Sequence, residues 1–153
     1  MATRYQVTAS RNVAASAARV YDIISDYRSG HPNILPSNFL NLHVERGGRG
    51  AGTVITFDVR AFGQTQSFRH TVEEPEPGRV LVERDTAGPD TTMFVVDRGA
   101  TEREARVTIT SDMTTTRSGL LGTIERAMSS AFLKRLYDKE LAKLEAFVSR
   151  PLG

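Results

Sequence analysis

The period of the apolar residues changes decisively near residue 118 of this chain. From residue 38 to about 115 apolar side chains recur at every second position; from about 118 to 149 they recur at every third or fourth. The first pattern is that of strands with one buried face, the second that of an amphipathic helix. Six strands are read in the first region. Leu40, Leu42 and Val44 alternate in one, and Ile55, Phe57, Val59 and Ala61 in the next. Phe68, His70 and Val72 mark a third, Val80 and Val82 a fourth, and Phe94 and Val96 a fifth. Ala105, Val107, Ile109 and Met113 mark a long sixth. Tyr5, Val7 and Ala9 add a strand at the start, which makes seven. Turn residues such as Pro75, Pro77, Gly78 and the "AGPD" segment keep the links short, and short links join antiparallel neighbours. After the first strand, Val20, Ile23, Ile24 and Tyr27 predict a helix with Ser16 as its N-cap. Gly30, Pro32 and Pro36 then leave room for only one more short helical turn. The closing helix carries Leu121, Ile124, Met128, Phe132, Leu136, Leu144 and Val148 in one stripe and stops at Pro151.

These elements predict an α+β domain spanning residues 1–153. A seven-stranded antiparallel sheet has one apolar face to cover and the long C-terminal helix has one apolar stripe, so a curved sheet wrapped around that helix satisfies both. Where sheet and helix separate, apolar side chains line a hollow of the kind that receives small molecules.

The "GGRGAGT" stretch, residues 47 to 53, tests a competing idea. A phosphate-binding glycine loop opens onto a helix, whose free amides form the anion site. Here the glycines open onto "TVITFDVRA", a period-two strand, and no lysine follows the last of them. The stretch is a hairpin turn.

Composition removes further classes. There is no cysteine, hence no disulfide, zinc knuckle or thiol nucleophile. A net charge of +2, with arginines scattered among acids, provides no basic stripe for nucleic acid. No apolar run reaches the length of about 18 residues that a membrane span requires, and the N-terminus lacks a signal-peptide core. A cytoplasmic monomer or homodimer without cofactor is expected.

Several segments resemble one family. "VYDIISDYRSGHPNILPSNF" followed by "VERGGRGAGTVITF" is similar to bacterial polyketide cyclase/dehydrase-like members of the START-like (SRPBCC) superfamily. "HTVEEPEPGRVLVERD", "GATEREARVTITSDM" and "FLKRLYDKELAKLEAFV" continue the match, so the resemblance covers nearly the whole chain. It implies the helix-grip fold, with two short helices after the first strand. It also implies a single ligand-binding domain for a small hydrophobic or amphipathic molecule such as a lipid, a quinone or a polyketide. The superfamily includes both carriers and cyclases, and fold alone does not choose between them.

The residues expected to line the cavity are Tyr27, Phe57, Phe68, His70, Phe94, Leu121, Ile124, Met128 and Phe132. His70 shares a strand face with Phe68 and Val72, where it is either an ordinary satisfied histidine or a polar anchor for a ligand carbonyl or hydroxyl. Asp26, Tyr27, Arg28 and His31 gather at the expected cavity mouth, where capping and turn roles compete with proton transfer. His31, His43 and His70 show no metal-ligand spacing, and no metal site is expected. Met128 and Phe132 read first as core and second as ligand contacts. Gly119 and Gly122 mark either a close backbone approach or a helix start that frays and gates access. The apolar stripe of this helix is expected to serve the sheet rather than a membrane surface. No Gly-x-Ser-x-Gly elbow is present, so any catalysis would be acid/base chemistry on a carbonyl-rich substrate.

Overall fold

The computed structural model describes residues 3–150. Strand β1 (Thr3–Val13) leads into helix α1 (Ala17–Ser25) and a 3-10 turn at His31–Asn33. Strands β2 (Phe39–Arg46), β3 (Val54–Ala61), β4 (Gln64–Glu76), β5 (Val80–Asp85), β6 (Thr91–Arg98) and β7 (Ala105–Thr115) follow, and helix α2 (Gly119–Val148) closes the fold. The sheet runs β1-β7-β6-β5-β4-β3-β2, with every pair antiparallel. This is the expected helix-grip architecture. β2 to β7 form a meander because each link is short, and β1 joins β7 at the far edge.

Register decides what the concave face carries. Phe57 lies opposite Phe68, Val72 opposite Glu83, and Leu81 opposite Phe94, which in turn lies opposite Ile109. Facing partners share a side of the sheet, so these residues all point inward. Val80 and Val82, the apolar pair expected to mark the inner face of β5, therefore lie on its outer side, where Val82 pairs with Glu73 and Met93. "VLV" is apolar at three successive positions, and alternation alone cannot choose its phase. The inward side is Leu81, Glu83 and Asp85.

Ser16 caps α1, its hydroxyl accepting from the Arg19 amide at 3.2 Å. The helix buries Val20, Tyr21, Ile23 and Ile24 but ends at Ser25, so Tyr27 lies beyond it. The glycine loop causes this termination. The Tyr27 amide donates to the Gly48 carbonyl at 2.8 Å, and the Gly50 amide donates to the Ser25 carbonyl at 2.9 Å. Arg49 pairs with Asp22 and Asp26. Gly50 adopts φ +63°, and a Cβ added there would lie 2.1 Å from a carboxylate oxygen of Glu74. That same carboxylate receives the Tyr21 hydroxyl at 2.6 Å and the Ala51 amide at 2.7 Å. The left-handed backbone favours glycine, and any side chain there would have to push the Glu74 carboxylate out of these two hydrogen bonds. The loop is a hairpin turn, and it also clamps the end of α1 to the sheet.

Helix α2 divides into two halves. Leu136, Tyr137, Leu141, Leu144 and Val148 are buried against the sheet. Leu120, Leu121, Ile124 and Met128 are exposed. At its start, a Cβ on Gly122 would lie 2.2 Å from the Arg117 carbonyl oxygen, so that glycine marks a close backbone approach. No helix among the described residues is long and apolar enough to cross a membrane.

Candidate functional site

Between the concave sheet and the middle of α2 lies a cavity of about 500 Å³. Its walls are largely aromatic. Phe39, Phe57 and Phe68 form a cluster with ring centroids 5.6 to 5.7 Å apart, and Phe94 closes the inner end. Phe62, at the tip of the β3–β4 hairpin, meets Phe132 of α2 at 5.4 Å and stands at the rim. The helix contributes Ser129, Phe132, Leu133, Leu136, Tyr137 and Glu140.

Four titratable groups meet at the inner end. Glu83 is buried on β5, and Glu140 is buried on α2 with 3% of its surface exposed. His31, also 3% exposed, stands between them. Its Nε2 lies 3.6 Å from Glu140 Oε1 and 3.9 Å from Glu83 Oε1. Its Nδ1 lies 2.7 Å from the Ile24 carbonyl, so it is the protonated nitrogen and donates there. His70 turns Nδ1 toward Glu83 Oε2 at 3.5 Å, a charge contact longer than a well-formed hydrogen bond. Tyr27 donates its hydroxyl to Glu83 Oε1 at 2.6 Å. A second polar chain runs alongside, from Thr92 to the Ser111 hydroxyl at 2.7 Å and on to the Tyr137 hydroxyl.

The two carboxyl groups are driven apart in acidity. Burial alone would raise the Glu83 pKa, but His70, His31 and the Tyr27 hydroxyl outweigh it and hold the group below the usual glutamate range. Glu140 meets only the His31 imidazole, at 3.6 Å and without a hydrogen bond. Burial, and then the charge on Glu83, push its pKa well above the usual value. Glu140 Oε1 is buried without a hydrogen-bond partner. One end of the cavity thus holds one carboxyl group shifted toward its ionised form and one shifted toward the neutral acid, with an imidazole between them. Opposed environments of this kind separate an acid from a base. Burial also raises the Tyr27 phenol well above its usual pKa, with Glu83 adding to the effect, and burial raises the Tyr137 phenol to about 12.

Among the residues expected at the site, the fold brings Phe57, Phe68, His70, Phe94 and Phe132 to the cavity wall. Tyr27 is not on that wall. It is only 1% exposed, stacked on His31 at 4.6 Å, and acts on the cavity through Glu83. Leu121, Ile124 and Met128 are not on it either; Leu121 is 65% and Met128 51% exposed. Steps of four residues overshoot the helical repeat by about 40° each, so from Leu121 to Val148 the row has rotated by about half a revolution. The buried face of the first half holds Gly122 and Ser129 instead. His31, expected at the mouth, lies at the inner end, because the clamped end of α1 turns the 3-10 segment into the sheet. Asp26 and Arg28 face outward: Asp26 accepts the Arg28 and Ser29 amides at 3.0 Å, and Arg28 donates to the Gly47 carbonyl at 3.0 Å. His43 is exposed on edge strand β2.

Glu83 and Glu140 are not among the residues expected from the sequence, though each leaves a trace there. Leu136, Glu140 and Leu144 fall at even spacing, so an acid interrupts the buried row. Glu83 has the phase of Leu81, which the "VLV" ambiguity conceals.

The sequence profile described as polyketide cyclase / dehydrase and lipid transport matches residues 4–148. The chain belongs to this family. Among solved structures, the KanY protein is 25% identical with a TM-score of 0.83, covering 97% of this chain and 99% of its own. The Zhui aromatase/cyclase from Streptomyces sp. R1128 is 18% identical with a TM-score of 0.79, over 97% and 95%. A START superfamily protein from Mycobacterium smegmatis is 18% identical with a TM-score of 0.73, over 94% and 96%. At 18% identity the last two attest the fold alone. No curated protein sequence matches the chain.

Proposed function

We propose that this chain is a single ligand-binding domain that encloses a small hydrophobic or amphipathic molecule between sheet and C-terminal helix. The observation that carries the reading is the aromatic-walled cavity with its polar groups gathered at one end. An apolar body replaces water against Phe57, Phe68, Phe94 and Phe132, and the acid–histidine cluster reads the polar end. The reading includes a cytoplasmic protein, monomeric or homodimeric, that works without nucleic acid. Prodan, an uncharged naphthyl ketone whose fluorescence reports polarity, tests it. We expect saturable, blue-shifted binding, lost when Ala61→Trp or Leu133→Trp fills the cavity while the unfolding midpoint is kept. Absence of saturable binding, or binding indifferent to both substitutions, refutes it.

The separated acidities of Glu83 and Glu140 favour a second reading, acid/base catalysis on a carbonyl substrate as in a polyketide cyclase or aromatase. His70, with Nδ1 held toward Glu83, has Nε2 left to take a proton from the carbon beside a carbonyl. Glu140 supplies a proton to the carbonyl oxygen, so the C–H electron pair becomes the C=C of an enol. Deuterium uptake into tetralone, followed by NMR, tests this step. Acceleration by the protein that is lost in His70→Phe, with prodan binding intact, supports it; no acceleration by the parent protein refutes it.

A further inference from the structure

Apart from the imidazoles of His31 and His70, the charged groups around the cavity are all of one sign. Four carboxyl groups line it (Glu83, Asp85, Asp90 and Glu140), and no lysine or arginine does. Glu83 is answered by Tyr27, His70 and His31. The mouth aspartates have only neutral partners: Asp85 accepts the Ala87 amide at 3.0 Å and Asp90 the Thr114 hydroxyl at 2.9 Å. Neither forms an ion pair among the described residues. Glu140 is buried on the cavity wall with Oε1 unpartnered, across from aromatic rings.

We propose that the ligand is a cation: an apolar or aromatic body bearing a protonated amine, with the ammonium group held by Glu140. This rests on the cavity reading above and names the chemistry of the molecule's polar end. A carboxylate or phosphate headgroup would share the space with ionised Glu83 and two aspartates, with no fixed cation to receive it. Like charges so confined reject a ligand. A neutral alcohol or ketone escapes that repulsion but gains nothing from the negative mouth. An ammonium ion gains three times. The aspartates raise its local concentration, the ring faces attract it, and Glu140 accepts a charge-assisted hydrogen bond. Burial favours the protonated form of Glu140, so an ammonium ion that pairs with it displaces that proton to solvent. Affinity for the amine therefore rises with pH until the amine itself loses charge. The groups facing this exchange are His31, His70, Glu83, Tyr27 and Tyr137 at the inner end, and Tyr5, Asp85 and Asp90 at the mouth. Arg126 is the base whose field reaches Tyr5.

Calorimetry with three probes on one frame tests the proposal: naphthylethylamine, naphthylethanol and naphthylacetate, beside prodan as a cavity control. We expect the amine to bind at least about tenfold tighter than the alcohol, the carboxylate to bind weakest, and about one proton to be released with the amine. Glu140→Gln should weaken the amine by about tenfold or more and the alcohol by much less, so that the preference for the amine is lost. Asp85→Asn combined with Asp90→Asn should slow amine association and flatten its salt dependence, a readout that does not require altering the buried acid. If the alcohol or the carboxylate binds as tightly as the amine while prodan binds, the charge inference fails and the cavity reading stands. The charge inference fails in the same way if prodan binds and none of the three does. If prodan also fails to bind, the cavity reading falls and the inference falls with it.

Discussion

Glu140 is the residue at which stability and function meet. A carboxyl group buried against the sheet, without a hydrogen bond to Oε1, is favoured as the neutral acid in the folded protein. In the unfolded chain the same group ionises near 4.5. As pH rises past that value, the unfolded state releases its proton while the folded state keeps one, so stability falls until the raised folded pKa is reached. Glu83 behaves oppositely. Its pKa is lowered on folding, so its contribution is present above 4.5 and lost as acid passes through the folded value. Urea unfolding across pH should show the parent protein losing stability above pH 4.5 and the Glu140→Gln variant losing markedly less. Parallel pH profiles would show that the cavity hydrates Glu140 well enough to leave it ionised.

At the scale of the element, α2 is one helix with two environments. Its second half closes the core with Leu136, Tyr137, Leu141, Leu144 and Val148, whereas Leu120, Leu121, Ile124 and Met128 of its first half are exposed. Leu136→Ala should cost about 2–5 kcal/mol, through lost burial and the space left behind. Leu121→Ser should change stability by no more than about 0.5 kcal/mol, as for an ordinary surface position. Equilibrium urea unfolding of both variants checks this, and a comparable loss from Leu121→Ser would mean that the exposed row packs against something in solution. The strands obey simpler rules. Alternation locates all seven, but it misassigns the inward side in β5, where "VLV" supplies apolar residues in both phases, and at the start of β2, where Leu40 lies opposite Asp58 and Phe39 takes the cavity wall.

For the whole molecule, rigidity is distributed unevenly around the cavity. The β1–β7 edge and the second half of α2 are packed against each other, and the glycine loop fastens α1 to the sheet. The first half of α2 and the β3–β4 hairpin meet at the rim through Phe132 and Phe62 and have little else behind them. Amide hydrogen exchange should therefore be fastest in α2 before residue 132 and slowest after 136, and a bound molecule should slow the early segment. Uniform protection along α2 would contradict this. The chain by itself determined the number and order of the elements, the antiparallel meander and the turn at "GGRGAGT". Each of these depends on residues near one another in sequence: alternation, helical spacing, turn chemistry. Tertiary structure alone decided that Glu83 and Glu140, fifty-seven positions apart, share a cavity with His31 and His70. It also decided that Tyr27 acts through Glu83 and that half of a helical stripe turns away from the core. These outcomes depend on strand phase, on the rotation accumulated along a long helix and on one loop clamping another, and no single window of sequence contains them.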